Sequence, residues 1–298
     1  MITRDRFMGV NSIKFHHRFP DEDSCYAYLS EIKWEKGYVC KKCGNEHYCK
    51  GRLPYSRRCT RCKYDESSTA GTMFDKLKFS IHLAFHIAFK ISTKKKGMSS
   101  LELSHEFELR QKTCWEFKRK IQIVMKSSGK YPISGTIQVD EFYVGGEEEG
   151  VIGRGKGKKR LVVIALEVVE AGVGRGYARV IPDASSSSFK PFFDEHICKN
   201  ARIITDKWTG YLPLRNDYKN IEQTKSHEGK SAPDIHLHIM NIKGWLRGIH
   251  HHCSEEWLQG YLDEYHFRFN RRNHPEVLFD TLLKRMVEYK LMRTNTVN

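Results

Sequence analysis

Two cysteine pairs, Cys40 with Cys43 and Cys59 with Cys62, constrain this chain more than any other feature, with two residues inside each pair and 15 between the pairs. Each CxxC turn presents two thiolates to a tetrahedral ion, and four thiolates leave no open coordination position. The spacing therefore predicts a zinc ribbon whose Zn2+ folds a small module that lacks a core of its own. In a chain of 298 residues with no apolar leader, such pairs favour metal over disulfide. Cys25, Cys49, Cys114, Cys198 and Cys253 have no comparable partner and read as ordinary thiols. Lys41, Lys42, Arg57, Arg58, Arg61 and Lys63 flank the ligands and would present positive charge to phosphates.

The basic character extends to the whole chain. Lys and Arg number 51 against 36 Asp and Glu, a formal net charge of +15 with a pI near 9.3. That balance suits a polyanionic partner better than a neutral metabolite. No apolar run reaches the roughly 18 residues of a membrane span, and the opening MITRDRFMGV lacks the apolar core of a signal peptide. A cytoplasmic protein without membrane contact is expected. The length predicts about two domains with attachments.

Helical patterning dominates the first part. In FPDEDSCYAYLSEIKW, Asp21 or Asp23 can cap a helix carrying Tyr26, Leu29 and Ile32 on one face. KFSIHLAFHIAFKIS, at 78–92, is too densely apolar for an exposed helix and predicts one buried on several sides. From Ser99, Leu101, Leu103 and Phe107 mark a short helix, 108–111 a turn, and Trp115, Phe117, Ile121 and Val124 a second helix. Lys112, Lys118, Arg119 and Lys120 fall on the other faces of that second helix. The layout is compatible with a helix-turn-helix that reads DNA, and equally with any helical hairpin carrying a basic outer face.

After SSGKYPISG the period changes to that of strands. TIQVDEFYV (136–144), LVVIALEVV (161–169) and YARVI (177–181) predict an antiparallel meander; SSSSFKPFFDEHI (184–196) predicts a helix and ARIITD (201–206) a buried strand. The order β-β-β-α-β is the beginning of a ribonuclease-H-like fold. The fold class is thus mixed α and β: helical lead-in at 1–37, zinc ribbon at 38–68, helix-turn-helix-like region at 69–130 and ribonuclease-H-like domain with a mixed sheet at 131–298. The run GRGKGKKR at 153–160 lacks a following GKS or GKT and reads as a flexible basic hairpin against a phosphate backbone, or equally as a solvated turn, not a nucleotide loop.

Asp140 and Asp206 each end an apolar, β-branched run, where an unpaired carboxylate is costly unless it meets a metal or a cation. A pair presented at strand ends suits two-metal phosphoryl transfer. A third ligand is sought on the helix DIHLHIMNIKGWLR at 234–247. There Ile235, Ile239, Ile242 and Leu246 form one stripe and His236, Met240, Lys243 and Arg247 the next. His236 and Lys243 are seven residues apart, about 10.5 Å along the axis and nearly in register. His238 is the rival histidine.

YVCKKCG with RRCTRC, GTMFDKLKFSI, VDEFYVGG, ITDKWTGY, HIMNIKGWLRGIHHHCS and YLDEYHFRFNRR, in that order, resemble segments of bacterial insertion-sequence transposases that carry an N-terminal zinc ribbon ahead of a ribonuclease-H-like catalytic domain. The resemblance covers nearly the whole chain. It implies catalytic aspartates at Asp140 and Asp206, a third position at His236 and a basic residue at Lys243. Most of the wider superfamily has glutamate at the third position, while asparagine and histidine belong to the pattern of this group; Asn241 and Glu264 are the alternatives. It also implies Mg2+ or Mn2+ held by Asp140, Asp206 and His236, cleavage at transposon ends, joining to target DNA, and a homo-oligomer assembled on double-stranded DNA. Two rival readings are a zinc-ribbon regulator without catalysis and a purely hydrolytic nuclease of the same fold.

Overall fold

The computed structural model describes residues 5–145, 159–225, 232–250 and 253–289. The chain forms two compact units, Met1–Val124 with Asn273–Asn298, and Met125–Arg272. Most of the basic run, residues 153–158, lies outside the described residues.

The first unit begins with α1 (Ser12–Arg18) and α2 (Glu22–Lys33). Asp21 caps α2: its side chain accepts the Ser24 N–H at 2.8 Å, and Ser24 closes back on the cap residue. Glu22 and Asp23 then sit where the helix dipole favours negative charge. Three short antiparallel strands follow, β1 (Tyr48–Lys50), β2 (Arg57–Cys59) and β3 (Asp65–Glu66). As its density of apolar residues predicts, α3 (Ile81–Thr93) is buried around much of its circumference.

Next, α4 (Ser100–Phe107) and α5 (Gln111–Met125) are joined by a tight turn in which Glu108 adopts φ 51°. This is the helix-turn-helix connectivity read from the sequence, with two differences in its faces. Leu101 is exposed. Lys118 is buried, because its ammonium donates to the Met98 carbonyl at 2.5 Å, so this lysine cannot reach a ligand.

The chain returns to this unit at its end. The apolar stripe of α9 (Leu278–Glu288), with Leu278, Phe279, Leu282, Leu283 and Met286 buried, packs on α2 and α3. Phe279 meets Phe7, Phe15, Phe19, Phe85 and Phe89 with ring centroids 5.3–5.8 Å apart. Beside it Asp280, fully buried, accepts the Tyr28 hydroxyl at 2.5 Å and the Arg6 guanidinium at 2.6 Å. The sequence reading carried the second domain to residue 298; here the contacts of α9 are with the first unit, and periodicity alone could not say which core its stripe would join.

The second unit holds a five-stranded sheet in the order β6-β5-β4-β7-β8. Its first three strands, β4 (Thr136–Val144), β5 (Arg160–Val169) and β6 (Gly172–Ile181), form the predicted antiparallel meander. The crossover helix α6 (Ser186–His196) then returns the chain so that β7 (Arg202–Thr205) pairs parallel with β4. A 3-10 helix (Thr209–Asn216) leads to β8 (Ile221–Gln223), parallel to β7, and α7 (Pro233–Ile249) and α8 (Glu255–Phe269) complete the unit. This is the ribonuclease-H-like arrangement. β6 begins earlier than predicted, because its glycine-rich start GVGRG has no apolar alternation and is held by pairing with β5.

Alternation along β4 divides the two cores. Ile137 and Val139 pack with Phe189, Phe193 and Tyr211, while Phe142 joins Ile164, Ile235, Ile239 and Leu262 on the opposite face. Three histidines are buried here. His266 donates from Nδ1 to the Leu262 carbonyl (2.8 Å), which leaves its Nε2 to accept from His238 Nε2 at 3.3 Å. Burial pushes His238 down to about 3, and His266 and His196 to about 4, from 6.5.

Their folded values lie below the unfolded one, so the stability they confer is present above pH 6.5 and is lost as pH falls toward 4. Hydrogen exchange at the amides of β4 and β5 should therefore accelerate across that window. His238→Phe, which keeps a ring against Phe269, should make the decline shallower.

Candidate active site and metal centre

The parallel register between β4 and β7 carries the two predicted aspartates toward one end of the sheet. The last registered pair is Gln138 with Ile204; Asp140, within β4, and Asp206, just past the end of β7, each follow it by two residues. Asp140 Oδ1 accepts the Glu141 N–H at 2.8 Å. Asp206 Oδ1 accepts the Trp208 N–H at 3.0 Å, and the Gln223 amide donates to the carbonyls of both Asp206 and Trp208 at 3.0 and 2.9 Å. The Trp208 indole in turn donates to the Ala184 carbonyl at 2.6 Å. Glycine is required at 210 for that approach, since a Cβ there would lie 2.3 Å from the same carbonyl.

Within β4, Gln138 fixes the start of α7: its Oε1 accepts the Ile235 N–H at 3.0 Å. The next residue, His236, then stands with Nδ1 3.7 Å from Asp140 Oδ2. Of the alternatives, His238 is buried in its pair with His266, and Glu264 is fully buried and bound to Arg268 at 2.8 Å; Asn241 is exposed. Two turns beyond His236, the Lys243 ammonium lies over the Phe142 ring at 5.5 Å. Burial holds that ammonium below its usual range and Arg247 adds to the effect, while Asp140 opposes it.

Two carboxylates and an imidazole are a donor set that suits Mg2+ or Mn2+. The ligand atoms of Asp140, Asp206 and His236 do not all lie within 4.8 Å of one another. Sequence reasoning missed Gln138, Gln223, Trp208, Glu141 and Tyr211. The last three stand inside the quoted motifs, and Gln138 shares the parity of Asp140, which is the signal that could have found it.

Among the described residues, the cysteine quartet is the one group of three or more metal-ligating side chains whose ligand atoms all lie within 4.8 Å. Its two turns repeat one design. The Cys40 N–H donates to Asn45 O and the Gly44 N–H to Cys40 O, both at 2.9 Å; Cys59 with Tyr64, and Lys63 with Cys59, do the same at 2.9 and 3.1 Å. Each turn closes through positive φ, 71° at Gly44 and 58° at Lys63, the glycine at no steric cost and the lysine with local strain. Cys40 Sγ is 3.5 Å from Cys62 Sγ, and Cys43 Sγ 3.6 Å from Cys59 Sγ. Four sulfurs around zinc at 2.3 Å would be about 3.8 Å apart, so the quartet fits the ion. Burial opposes ionisation of Cys59, yet the Cys62 N–H, the Asn45 amide and the Arg61 N–H bring its thiol down to about 6.

Trp34 and Tyr38 pack against the cysteines. Two of the flanking cations are engaged within the module: Lys41 lies 2.6 Å from the buried Glu66, which also binds Lys33 at 2.8 Å, and Arg57 sits over the Trp34 and Tyr48 rings at 4.5 and 4.0 Å. Lys42, Arg61 and Lys63 remain exposed. Cys40→Ser should abolish binding of one zinc per chain, read by elemental analysis, and should expose Trp34, read by its fluorescence. Full zinc content in that variant would refute the ligand set.

Residues 20–65 match the transposase zinc-ribbon domain family, and residues 132–270 match the ISXO2-like transposase domain family. No curated protein matches the chain at a significant level. Among solved structures, the chain is similar to the Mos1 strand transfer complex, with 11% identity and a TM-score of 0.29 over 64% of this chain and 74% of that one. A pre-cleavage Mos1 transpososome gives 12% and 0.27 over 65% and 75%. The two domain families account for both sites described above, the ribbon holding the cysteine quartet and the second domain holding the acid pair. The chain belongs to the insertion-sequence transposases that join an N-terminal zinc ribbon to a ribonuclease-H-like catalytic domain, and it is a DNA transposase.

Proposed function

We propose that Asp140, Asp206 and His236 hold two Mg2+ or Mn2+ ions for cleavage at transposon ends and for joining of the freed 3′ hydroxyl to target DNA. The observation that supports this reading most is His236 Nδ1 3.7 Å from Asp140 Oδ2, with Asp206 following the last β4–β7 pair by two residues, as Asp140 does. When bound, the ions activate the attacking oxygen and neutralise the leaving one. Trp208 and Gln223 orient Asp206, Gln138 sets the height of His236 above the sheet, and Lys243 with Arg247 hold the phosphate backbone beside the acids. Lys42, Arg61 and Lys63 on the ribbon, and α5 by way of Lys112, Arg119 and Lys120, bind further along the duplex. Two transposon ends must be held together, so the working form is a homo-oligomer on DNA.

An in vitro assay with the DNA that flanks the gene tests this. Asp140→Asn and Asp206→Asn should each abolish cleavage and joining while leaving end binding intact; wild-type cleavage by either would refute the assignment. Hydrolysis without strand joining by the wild-type protein would instead support a nuclease. The imidazole ligand favours Mn2+ over Mg2+, and activity should follow that order. Lys243→Ala should slow joining and lower the salt slope of end binding by about one unit, as one lost phosphate contact would.

A further inference from the structure

The hydrogen-bonded ladder between β4 and β7 stops at Gln138 and Ile204, two residues short of the aspartates. Beyond that point the strands need another tie to keep a fixed separation. Glu141, next to Asp140, alternates to the face covered by α6, and there meets Tyr211, five residues after Asp206. The Tyr211 hydroxyl donates to Glu141 Oε2 at 2.7 Å. Its ring is fully buried and stacks on Phe189, centroids 4.5 Å apart and planes within 4°. Burial, then the charge of Glu141, holds the phenol well above its ordinary pKa, so it stays a neutral donor; Asp140 and Asp206 act on it in the same direction.

We propose that the Tyr211–Glu141 hydrogen bond is a positioning brace, on the back of the sheet, that sets the separation of Asp140 and Asp206 for their metal ions. The proposal rests on the two-metal reading. Glu141 reaches Asp140 directly, since its own N–H fixes Asp140 Oδ1 at 2.8 Å. Tyr211 stands in the same segment as Trp208, whose N–H fixes Asp206. One bond therefore links the two backbone donors that orient the acids. In this arrangement Glu141, odd-numbered in β4 where Asp140 is even, holds the strand through Tyr211 and is not counted among the ligands.

The test is Mn2+ binding by the full-length protein, followed by the electron paramagnetic resonance of free ion, with the metal dependence of end cleavage alongside. Tyr211→Phe keeps the stacked ring and should weaken Mn2+ binding at least tenfold, with zinc content and end binding unchanged. Glu141→Ala should match it, and Glu141→Gln, which keeps an acceptor oxygen, should recover most of the loss. Because the Glu141 pair leaves the Tyr211 ring in place, it decides the matter even if Tyr211→Phe loosens the core. Wild-type Mn2+ affinity in Tyr211→Phe would overturn the brace. So would equal weakness of Glu141→Gln and Glu141→Ala, which would make Glu141 a ligand by its charge. Unchanged Mn2+ binding in Asp140→Asn would overturn the two-metal reading itself.

Discussion

Parallel strands cannot be joined by a tight turn, so the pairing of β4 with β7 depends on the α6 crossover and on what that helix buries. Phe189, Phe192 and Phe193 fill one side of the sheet and leave the register no freedom to slip, since a shift by one residue would turn Ile137 and Val139 out of their core. The same register runs on toward Asp140, within β4, and Asp206, just past β7. Placing two like charges there is unfavourable, and the structure meets that cost with backbone donors: the Glu141 N–H on one acid and the Trp208 N–H on the other. Both acids are thereby held in fixed orientations by the backbone.

The first unit solves a different problem. Its ribbon has three strands of two or three residues each, too short to be stable as a sheet, and the tetrahedral thiolate cluster supplies what a hydrophobic core would. Glu66, buried between Lys33 and Lys41, ties the ribbon to α2. Only part of the positive charge beside the cysteines is therefore free for a polyanion. Net charge overstates that share here, because Lys41 and Arg57 are occupied by the protein's own acid and rings.

Where local chemistry decides, the sequence was legible. The cysteine spacing, the Asp21 cap, the dense apolar run of α3 and the β-branched strands each carry their reason within a few residues. Asp140 and Asp206 stand out in the sequence because a carboxylate in an apolar run demands explanation, and His236 because its stripe differs from the buried one. What was hidden depends on neighbours remote in sequence. Lys118 has the composition of a surface residue and is buried only because the Met98 carbonyl needs a donor. Gln138 reads as one polar residue in a strand until Ile235, 97 positions later, arrives above it. Gln223 belongs to a three-residue strand with no pattern to announce it, yet it fastens the loop that carries Asp206.

The return of α9 to the first unit makes the catalytic unit an insertion, tethered at both ends within another folded body. Phe279 and Asp280, which complete the aromatic core and receive Tyr28 and Arg6, follow the whole of the second unit in the chain. During vectorial synthesis the inserted unit can therefore fold as it emerges, whereas the enclosing one closes only after α9 has been made.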